Sequence, residues 1–476
     1  MLIDGDLKQI RKGFFKIIIF FFIIGTIVIK IPMNQSSFLN TNKNSRLRTA
    51  ESESWVAITN IETISEYNFK GKLIVINHSI FVIEPKEEIL RILKYNQTGT
   101  KIDEYKFNFS NTISSFYVLV DSSNNFIILM NYFFFSGTST KTVFLKIDQM
   151  GNQLVLKDMT AEHGIEGICN CIMDNNNSII FSNPSSIGKI DLNGTLLWNY
   201  HPHQDGPFGL NYDSQNNVYF ISKEKYDFNS SLGKINSTGY LLWNNSLKYV
   251  LIDLEVDSNN NLYLIGKDEW SYDGYLLKFN SSGDLLKEEE VEDEVYQCWI
   301  FENNSIYVLY STENTPNYIG CYDLNLNHNW NYTFSNYLPL LENFEYWLPL
   351  VADSNGNLLA LLNKKGVIGI FEFTKLGEEI SFTKWGGGYL LDHSNLVLDS
   401  EDNTFFVCKY LRIDMWGERT IFTFLVKNPK DGDLVPFPPR SISLYDYIIF
   451  LFLGVSVLVS IMLLFLSLRN RKKSIR

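Results

Sequence analysis

The stretch Asp213–Asn245, DSQNNVYFISKEKYDFNSSLGKINSTGYLLWNN, decides the fold. An Asx-rich turn leads into a short apolar strand, VYFIS. A second strand, SLGKI, turns through Asn-Ser-Thr-Gly into a third, YLLWNN. Asn and Asp tolerate left-handed backbone and bond to their own loop, and Gly supplies positive φ, so both turns carry hairpin chemistry. With an apolar run such as YVLIDLEV (Tyr249–Val256) placed first, the unit is four antiparallel strands.

The unit recurs along the chain. The Asx turn and its strand reappear at Asn77, Asp121, Asp174, Asp257, Glu302, Asp353 and Asp399. The Gly element reappears in IGKIDLNGTLLWNY (Ile187–Tyr200) and YLLKFNSSGDLLKEE (Tyr275–Glu289), and in weaker form from Leu93, Phe144 and Ile319. Eight copies between Leu73 and Asn428 take roughly 44 residues each, the period of a four-stranded propeller blade. One such sheet cannot bury both faces, whereas a ring of them buries both and removes open edges. The expected fold is all-β: a single β-propeller over residues 54–430 with about eight blades, or seven if the first or last copy is not a true blade. The last copy ends in LVPFPP, whose prolines cannot donate to a ladder. Ser54–Ile64 (SWVAITNIETI) is expected to supply the missing strand and close the ring. An aromatic share of 15% agrees with a strand-rich chain.

The pattern G-K-I-[DN]-x-x-G followed by L-L-W, with Trp198, Trp243 and Trp330, resembles the repeats of pyrroloquinoline-quinone-type β-propellers. The D-S-x-N-N half looks like related seven-bladed-propeller repeats of surface proteins. The resemblance spans roughly residues 54–430 and implies architecture. Quinone enzymes of that family use an adjacent cysteine pair, and this sequence has no Cys-Cys. No cofactor is expected.

Two apolar segments flank the repeats. Tyr447–Leu468 is uncharged and long enough to cross a bilayer as one helix, and the basic run RNRKKSIR follows it. Ile17–Ile29 follows Lys8, Arg11, Lys12 and Lys16 and reads as a signal anchor or a signal-peptide core. The expected organisation is a cytoplasmic N-terminus plus anchor or signal peptide (1–33), the propeller (54–430), a Pro-containing linker (431–446), a transmembrane helix (447–468) and a basic cytoplasmic tail (469–476). Both ends then place the propeller outside the cytoplasm, at the cell membrane. N-x-[ST] sequons such as Asn96, Asn236 and Asn280 permit a glycoprotein, although a chain this rich in Asn, Ser and Thr generates many by composition.

Net charge is −12; five Lys/Arg against two Asp in residues 1–33, and five Lys/Arg in the tail, leave −20 on residues 34–468. So acidic a body repels nucleic acid. The five cysteines are scattered and form no disulfide framework; Cys169-Asn-Cys171 is expected to put two buried thiols on one strand face. The D-S-N-N-N turns match only the opening of a calcium loop, and hairpin chemistry explains their spacing. Recognition is expected on the face carrying the variable connections, within and between blades. Those connections include DMTAEHGIEG (158–167), YHPHQDGPFG (200–209), GKDEWSYDGY (266–275), EEEVEDEVYQ (288–297) and YLRIDMWGERT (410–420). His163, His201, His203 and His393, with Asp205, are candidates there for binding, acid–base or metal work, against the plain reading of solvated loop histidines. Trp270, Trp347 and Trp416 are candidates for stacking on a sugar or gripping a protein loop, and serve equally well as blade caps. No metal site is expected. Three functions fit: a cell-surface binding or scaffold module for protein or glycan, a propeller enzyme (a lyase or quinone-dependent oxidoreductase), and a structural envelope component.

Overall fold

The Asx turn and the Gly turn are one turn. In each, a five-residue loop opens with a side-chain acceptor that takes the backbone N–H groups two and four residues on. Asp213 Oδ1 accepts from Gln215 and Asn217 between the first two strands of one blade, and Asn236 Oδ1 accepts from Thr238 and Tyr240 between the last two. The fourth residue has positive φ in both, Asn216 at 61° and Gly239 at 94°. Gly239 is glycine for a second reason: an added Cβ would lie 2.8 Å from the Trp198 ring of the preceding blade.

The computed structural model describes residues 55–63, 71–133, 140–202, 205–223, 230–268, 273–291, 294–300, 305–311, 318–333, 349–364, 367–385, 389–393, 395–413 and 419–428. The chain divides into two units, Met1–Thr49 and Ala50–Arg476, and every element described belongs to the second. The expected flanking segments, 1–33 and 447–468, lie outside the described residues, as does the linker between Asn428 and Tyr447. Among the described residues no helix is long and apolar enough to cross a membrane.

Eight antiparallel sheets form the eight blades of a β-propeller. Blade 1 is Lys72–Ile76, Ser79–Lys86, Ile89–Asn96 and Lys101–Asn108, and the pattern of inner-to-outer strands repeats through blade 7, which ends at Glu379–Trp385. In blade 8 the inner strand is split into Tyr389–His393 and Val397–Leu398, followed by Thr404–Ile413 and Arg419–Asn428. Its outer strand is Trp55–Thr63, paired antiparallel with Arg419–Asn428 from Trp55↔Lys427 to Thr63↔Thr420. The N-terminal strand therefore closes the ring, as its sequence led us to expect.

Hydrophobic clusters cement neighbouring blades. One joins Phe81 and Ile83 of blade 1 to Ile128 and Met130 of blade 2, and another joins Leu73 and Val82 of blade 1 to Phe405 and Leu425 of blade 8. Side chains on both faces of each sheet are thus buried, which a single sheet cannot achieve. The G of G-K-I-[DN] is a packing requirement: a Cβ on Gly188 or Gly233 would collide with the ring of Phe181 or Phe220 on the adjacent strand.

The K of that motif has a partner the sequence did not suggest. Lys146, Lys189 and Lys234 reach across their blades to the aspartate that opens the first turn: Asp121 at 2.9 Å, Asp174 at 2.5 Å and Asp213 at 3.1 Å. All six side chains are nearly buried. Burial alone would raise the Asp213 carboxyl, but hydrogen bonds from Asn217 and the Lys234 ammonium outweigh it and hold the group below the usual range. A second belt links turn to turn between blades. Ser122 N donates to Asn177 Oδ1 (3.2 Å), Asn175 N to Asn216 Oδ1 (3.1 Å), Ser214 N to Asn260 Oδ1 (2.9 Å) and Ser354 N to Asp402 Oδ1 (3.0 Å). The αL residue of these four turns, Asn177, Asn216, Asn260 and Asp402, thereby holds the preceding blade.

Candidate functional site

The two faces of the ring differ in kind. One carries the tight turns, five-residue loops apart from the two-residue Asn77–His78 turn of blade 1. The other carries connections that range from Pro184 and Ser185 alone, between Ile179–Asn183 and Ser186–Ile190, to the long segment between His328–Thr333 and Leu350–Ala352. Several segments read as loops are shorter in the structure because strands continue into them. Glu288–Val291 and Glu294–Gln297 lie in the strands Leu285–Val291 and Glu294–Ile300, Asp205 opens Asp205–Tyr212, and Thr404–Ile413 runs on past Tyr410. Outer strands expose alternate residues, so runs of glutamate sit there at little desolvation cost.

The structure gives the sequence-selected residues separate surroundings. His163 ends a short helix, Met159–His163, which Asp158 caps through Ala161 N. Its Nε2 lies 3.3 Å from the Gly194 carbonyl in the tight turn of blade 3, so the ring joins two blades. His201 Nδ1 lies 3.2 Å from the Ser185 carbonyl, and its Nε2 lies 3.3 Å from Asn199 Nδ2. Backbone pairing places Asp205 opposite Lys223 and His393 opposite Cys408. His203, Trp270, Trp347 and Trp416 lie outside the described residues. Among the described residues no three His, Cys, Asp or Glu side chains gather as a metal site. Nor are Cys169 and Cys171 an equivalent pair: Cys169 precedes the strand Asn170–Met173 and is exposed, while Cys171 is buried between blades.

A polar ring that sequence reading missed surrounds the axis. Four residues before the turn aspartate, several inner strands carry a side chain that stitches to the next blade. Tyr117 OH donates to the Cys169 carbonyl, Asn170 Nδ2 to the Phe208 carbonyl (3.2 Å), and Asp253 Oδ2 accepts from Cys298 N (3.3 Å). Asn395 closes the ring onto blade 1, accepting from Leu73 N and donating to the Leu73 carbonyl, both at 3.1 Å.

Two carboxylates stand out in that ring. Asp253 and Glu255 alternate on the inner strand Val250–Val256 and so share a face. Each keeps some accessible surface yet is enclosed by neighbouring inner strands, as befits side chains lining the axis of a ring. Burial and the Asp253 charge push the Glu255 carboxyl up to about 8, partly opposed by Asn211, whose Nδ2 donates to Glu255 Oε2 at 3.1 Å. Burial also raises Asp253, against hydrogen bonds from Cys298 and Leu254. The Cys298 thiol beside them is pushed well up by burial and by both carboxyls. Burial and proximity therefore favour a shared proton on the pair over a range where an ordinary carboxylate is ionised. The signal was present in I-D-L-E-V, where two acids interrupt an otherwise apolar inner strand on one face.

No family model matches the chain, and no curated protein matches it. Solved structures do. The chain is similar to the Dos1 propeller, with a TM-score of 0.50 and 8% identity over 80% of this chain and 97% of that one. It is similar to dipeptidyl peptidase 4 of Porphyromonas gingivalis, with a TM-score of 0.50 and 11% identity over 72% of this chain and 56% of that one. At such identities the likeness is one of fold, and it agrees with the eight sheets in making this chain a β-propeller.

Proposed function

We propose that this protein is a membrane-anchored, extracytoplasmic β-propeller that presents its variable-loop face to a protein or glycan partner. The observation that carries the reading is the asymmetry of the ring. Every resource of the repeat, from Asx turns to buried Lys–Asp pairs, goes into making one face uniform, while the other holds connections of unequal length and composition. Rigid scaffolds with variable loops on one face are where recognition is placed. The uncharged Tyr447–Leu468 segment followed by RNRKKSIR supports the anchor and its orientation. The G-K-I-[DN] and L-L-W elements support kinship with pyrroloquinoline-quinone-type repeats at the level of architecture.

The test is binding of the full chain in detergent to glycan arrays and to surface-protein libraries, repeated with loop-face replacements such as Gly266–Tyr275 cut to a Gly-Asn turn. Loss of a specific partner on loop replacement, with unfolding unchanged, supports the reading. Binding that survives every loop-face replacement overturns it. The Asp253–Glu255 pair favours one second reading, an acid–base enzyme acting at the axis; Glu255→Gln would abolish such an activity and leave partner binding intact.

A further inference from the structure

The outer strands carry an apolar belt that the ring itself does not use. The second residue of the outer strand is Ile102, Leu154, Leu197, Leu242, Leu286 and Ile380 in six blades, and each is between 47% and 53% exposed. Their equivalence is fixed by register. The residue just before each pairs at the end of the neighbouring strand: Gln153 with Ile147, Leu196 with Ile190, Leu241 with Ile235, Leu285 with Phe279 and Glu379 with Phe373 meet its last residue, and Lys101 meets Tyr95, one before the last. All six therefore sit at one height, beside the turn that opens the outer strand. Met150, Tyr240 and Leu376, in or beside three of those turns, are more exposed still, at 69%, 72% and 68%. A soluble rim gains nothing from repeating a half-exposed Leu or Ile blade after blade, and exposed apolar surface repeated at one height marks a contact site.

The path of the chain says what meets this rim. Trp55 opens its strand beside Lys427, and Asn428 ends its strand beside Thr404, so the chain enters and leaves blade 8 at the tight-turn face. That is the face whose edge carries the belt. Beyond Asn428 the sequence runs through a short linker, stiffened by Pro436, Pro438 and Pro439, into the uncharged Tyr447–Leu468.

We propose that the propeller lies on the lipid bilayer with its tight-turn face down, the apolar belt seated in the interface and the variable-loop face turned away from the membrane. This rests on the anchoring reading above and adds an orientation and a second contact. Half-buried aliphatic side chains at one height fit the headgroup–acyl boundary, where apolar groups are stabilised without spanning. A body carrying −20 over residues 34–468 points to neutral rather than anionic lipid.

The experiment uses the full chain in phosphatidylcholine vesicles with nitroxide labels at two places. Cys169 is exposed and precedes an inner strand on the variable face, so it carries a label without mutation. The second label goes on Leu242→Cys in a Cys169→Ser background. Collision with oxygen, which concentrates in lipid, is compared with collision with a water-soluble nickel chelate. The proposal expects the position-242 label to favour oxygen several-fold over the Cys169 label. Equal, water-like accessibility at both sites, in protein that still floats with the vesicles, overturns the orientation and leaves anchoring standing. Protein that does not float refutes the anchoring reading itself. Spin–spin broadening at position 242 would show a second copy of the chain on the belt and equally overturns the proposal. Ser replacements of Leu197, Leu242 and Leu286, which face outward and support no core, provide a second check with the label moved to Ile102→Cys in the Cys169→Ser background. They should lower oxygen access at position 102 while the unfolding transition stays in place.

Discussion

Asp213→Asn removes the charge from one buried ion pair while keeping the acceptor for the turn's backbone, and it also replaces the Oδ2 that accepts from Asn217 Nδ2 at 2.8 Å and Tyr219 OH at 3.3 Å. An Asn side chain still accepts from Gln215 and Asn217, as Asn236 does in the equivalent outer turn. What it removes is the charge that Lys234 meets at 3.1 Å, with the two side chains 9% and 2% exposed. The Lys234 ammonium keeps the Ser281 carbonyl at 3.2 Å and the Tyr219 ring at 4.7 Å, neither of which carries a full negative charge. Leaving a buried charge uncompensated costs about 3–5 kcal/mol, far more than a surface pair is worth. The control is Asp191→Asn, in an outer turn where Asp191 accepts from Asn193 and Thr195 on the exposed surface; it should cost under about 1 kcal/mol. Adding Lys234→Met to Asp213→Asn should recover much of the loss, since the double variant no longer buries an uncompensated charge. Chemical denaturation of the three variants and the wild type reads the differences as midpoint shifts. Equal costs for Asp213→Asn and Asp191→Asn, or no recovery in the double variant, would refute the reasoning.

Three further outcomes follow from the same geometry. Gly233→Ala should destabilise by about 1–3 kcal/mol in thermal unfolding, because its Cβ meets the buried Phe220 ring, and Phe220→Leu in the same chain should return part of that loss. Glu255→Gln should stabilise the fold at pH 8 and change it little near pH 4.5. The folded carboxyl titrates near 8 and its reference value is 4.5, so between these the folded state binds a proton the unfolded state has released, and wild-type stability falls as pH rises. Denaturation midpoints across pH 4–9 should show a gap that widens upward to roughly 2–4 kcal/mol, and a flat difference would remove the basis for a buried neutral acid. Leu326 has φ of 58° where other outer turns have glycine, yet it is fully buried with Tyr263 and Ile306. Leu326→Gly should therefore cost about 1–4 kcal/mol in a denaturant titration, since the lost packing outweighs the roughly 1 kcal/mol of relieved backbone strain.

The repeat was legible because its turns are local. An acceptor at the first position and a left-handed residue at the fourth are written within five residues, so the strands between them could be placed without knowing their partners. Ring closure by Trp55–Thr63 was legible for a related reason: one copy lacked a usable fourth strand, and one strand lacked a copy. The unity of the two turns was hidden by composition, since Asn supplies positive φ at Asn216 and Gly supplies it at Gly239. Sequons proved partly a product of this chemistry. At Asn96 and Asn236 the Thr two residues on donates both its N–H and its hydroxyl to the Asn side chain, so N-x-T is what the turn selects. Asp253 and Glu255 can be read in I-D-L-E-V as two acids on one face, but their burial and raised carboxyls cannot, because these depend on which strands surround them, and inner strands come together only when eight blades close.

Closure also explains why the first turn of a blade is stricter than the second. Its acceptor is Asp in blades 2, 3, 4, 5, 7 and 8, whereas the outer turn uses Asp148, Asp191, Asn236, Asn280, Asp323 or Thr374. Hydrogen bonding to two N–H groups asks only for an oxygen, and all three residue types provide one. The added demand at the first turn is the lysine that arrives from the third strand. Its stem covers the aromatic or aliphatic residue on the second strand, with Lys94 over Phe81, Lys234 over Tyr219 and Lys278 over Tyr263, and its charge then needs an endpoint. Asp meets that need in blades 2, 3 and 4; in blade 5 Lys278 ends instead on the Leu324 carbonyl of blade 6, 2.6 Å away, while Asp257 is bonded by Tyr263 OH at 3.2 Å. Cys321 and Glu372 take the lysine's place in blades 6 and 7, while the outer-strand residue opposite is Trp whether it faces Lys189, Lys234 or Cys321, and Ser381 opposite Glu372. The lysine thus accounts for the aspartate in blades 2, 3 and 4, whereas blades 5 and 7 keep Asp257 and Asp353 for the turn itself, where the carboxylate takes two backbone N–H groups without that ion pair.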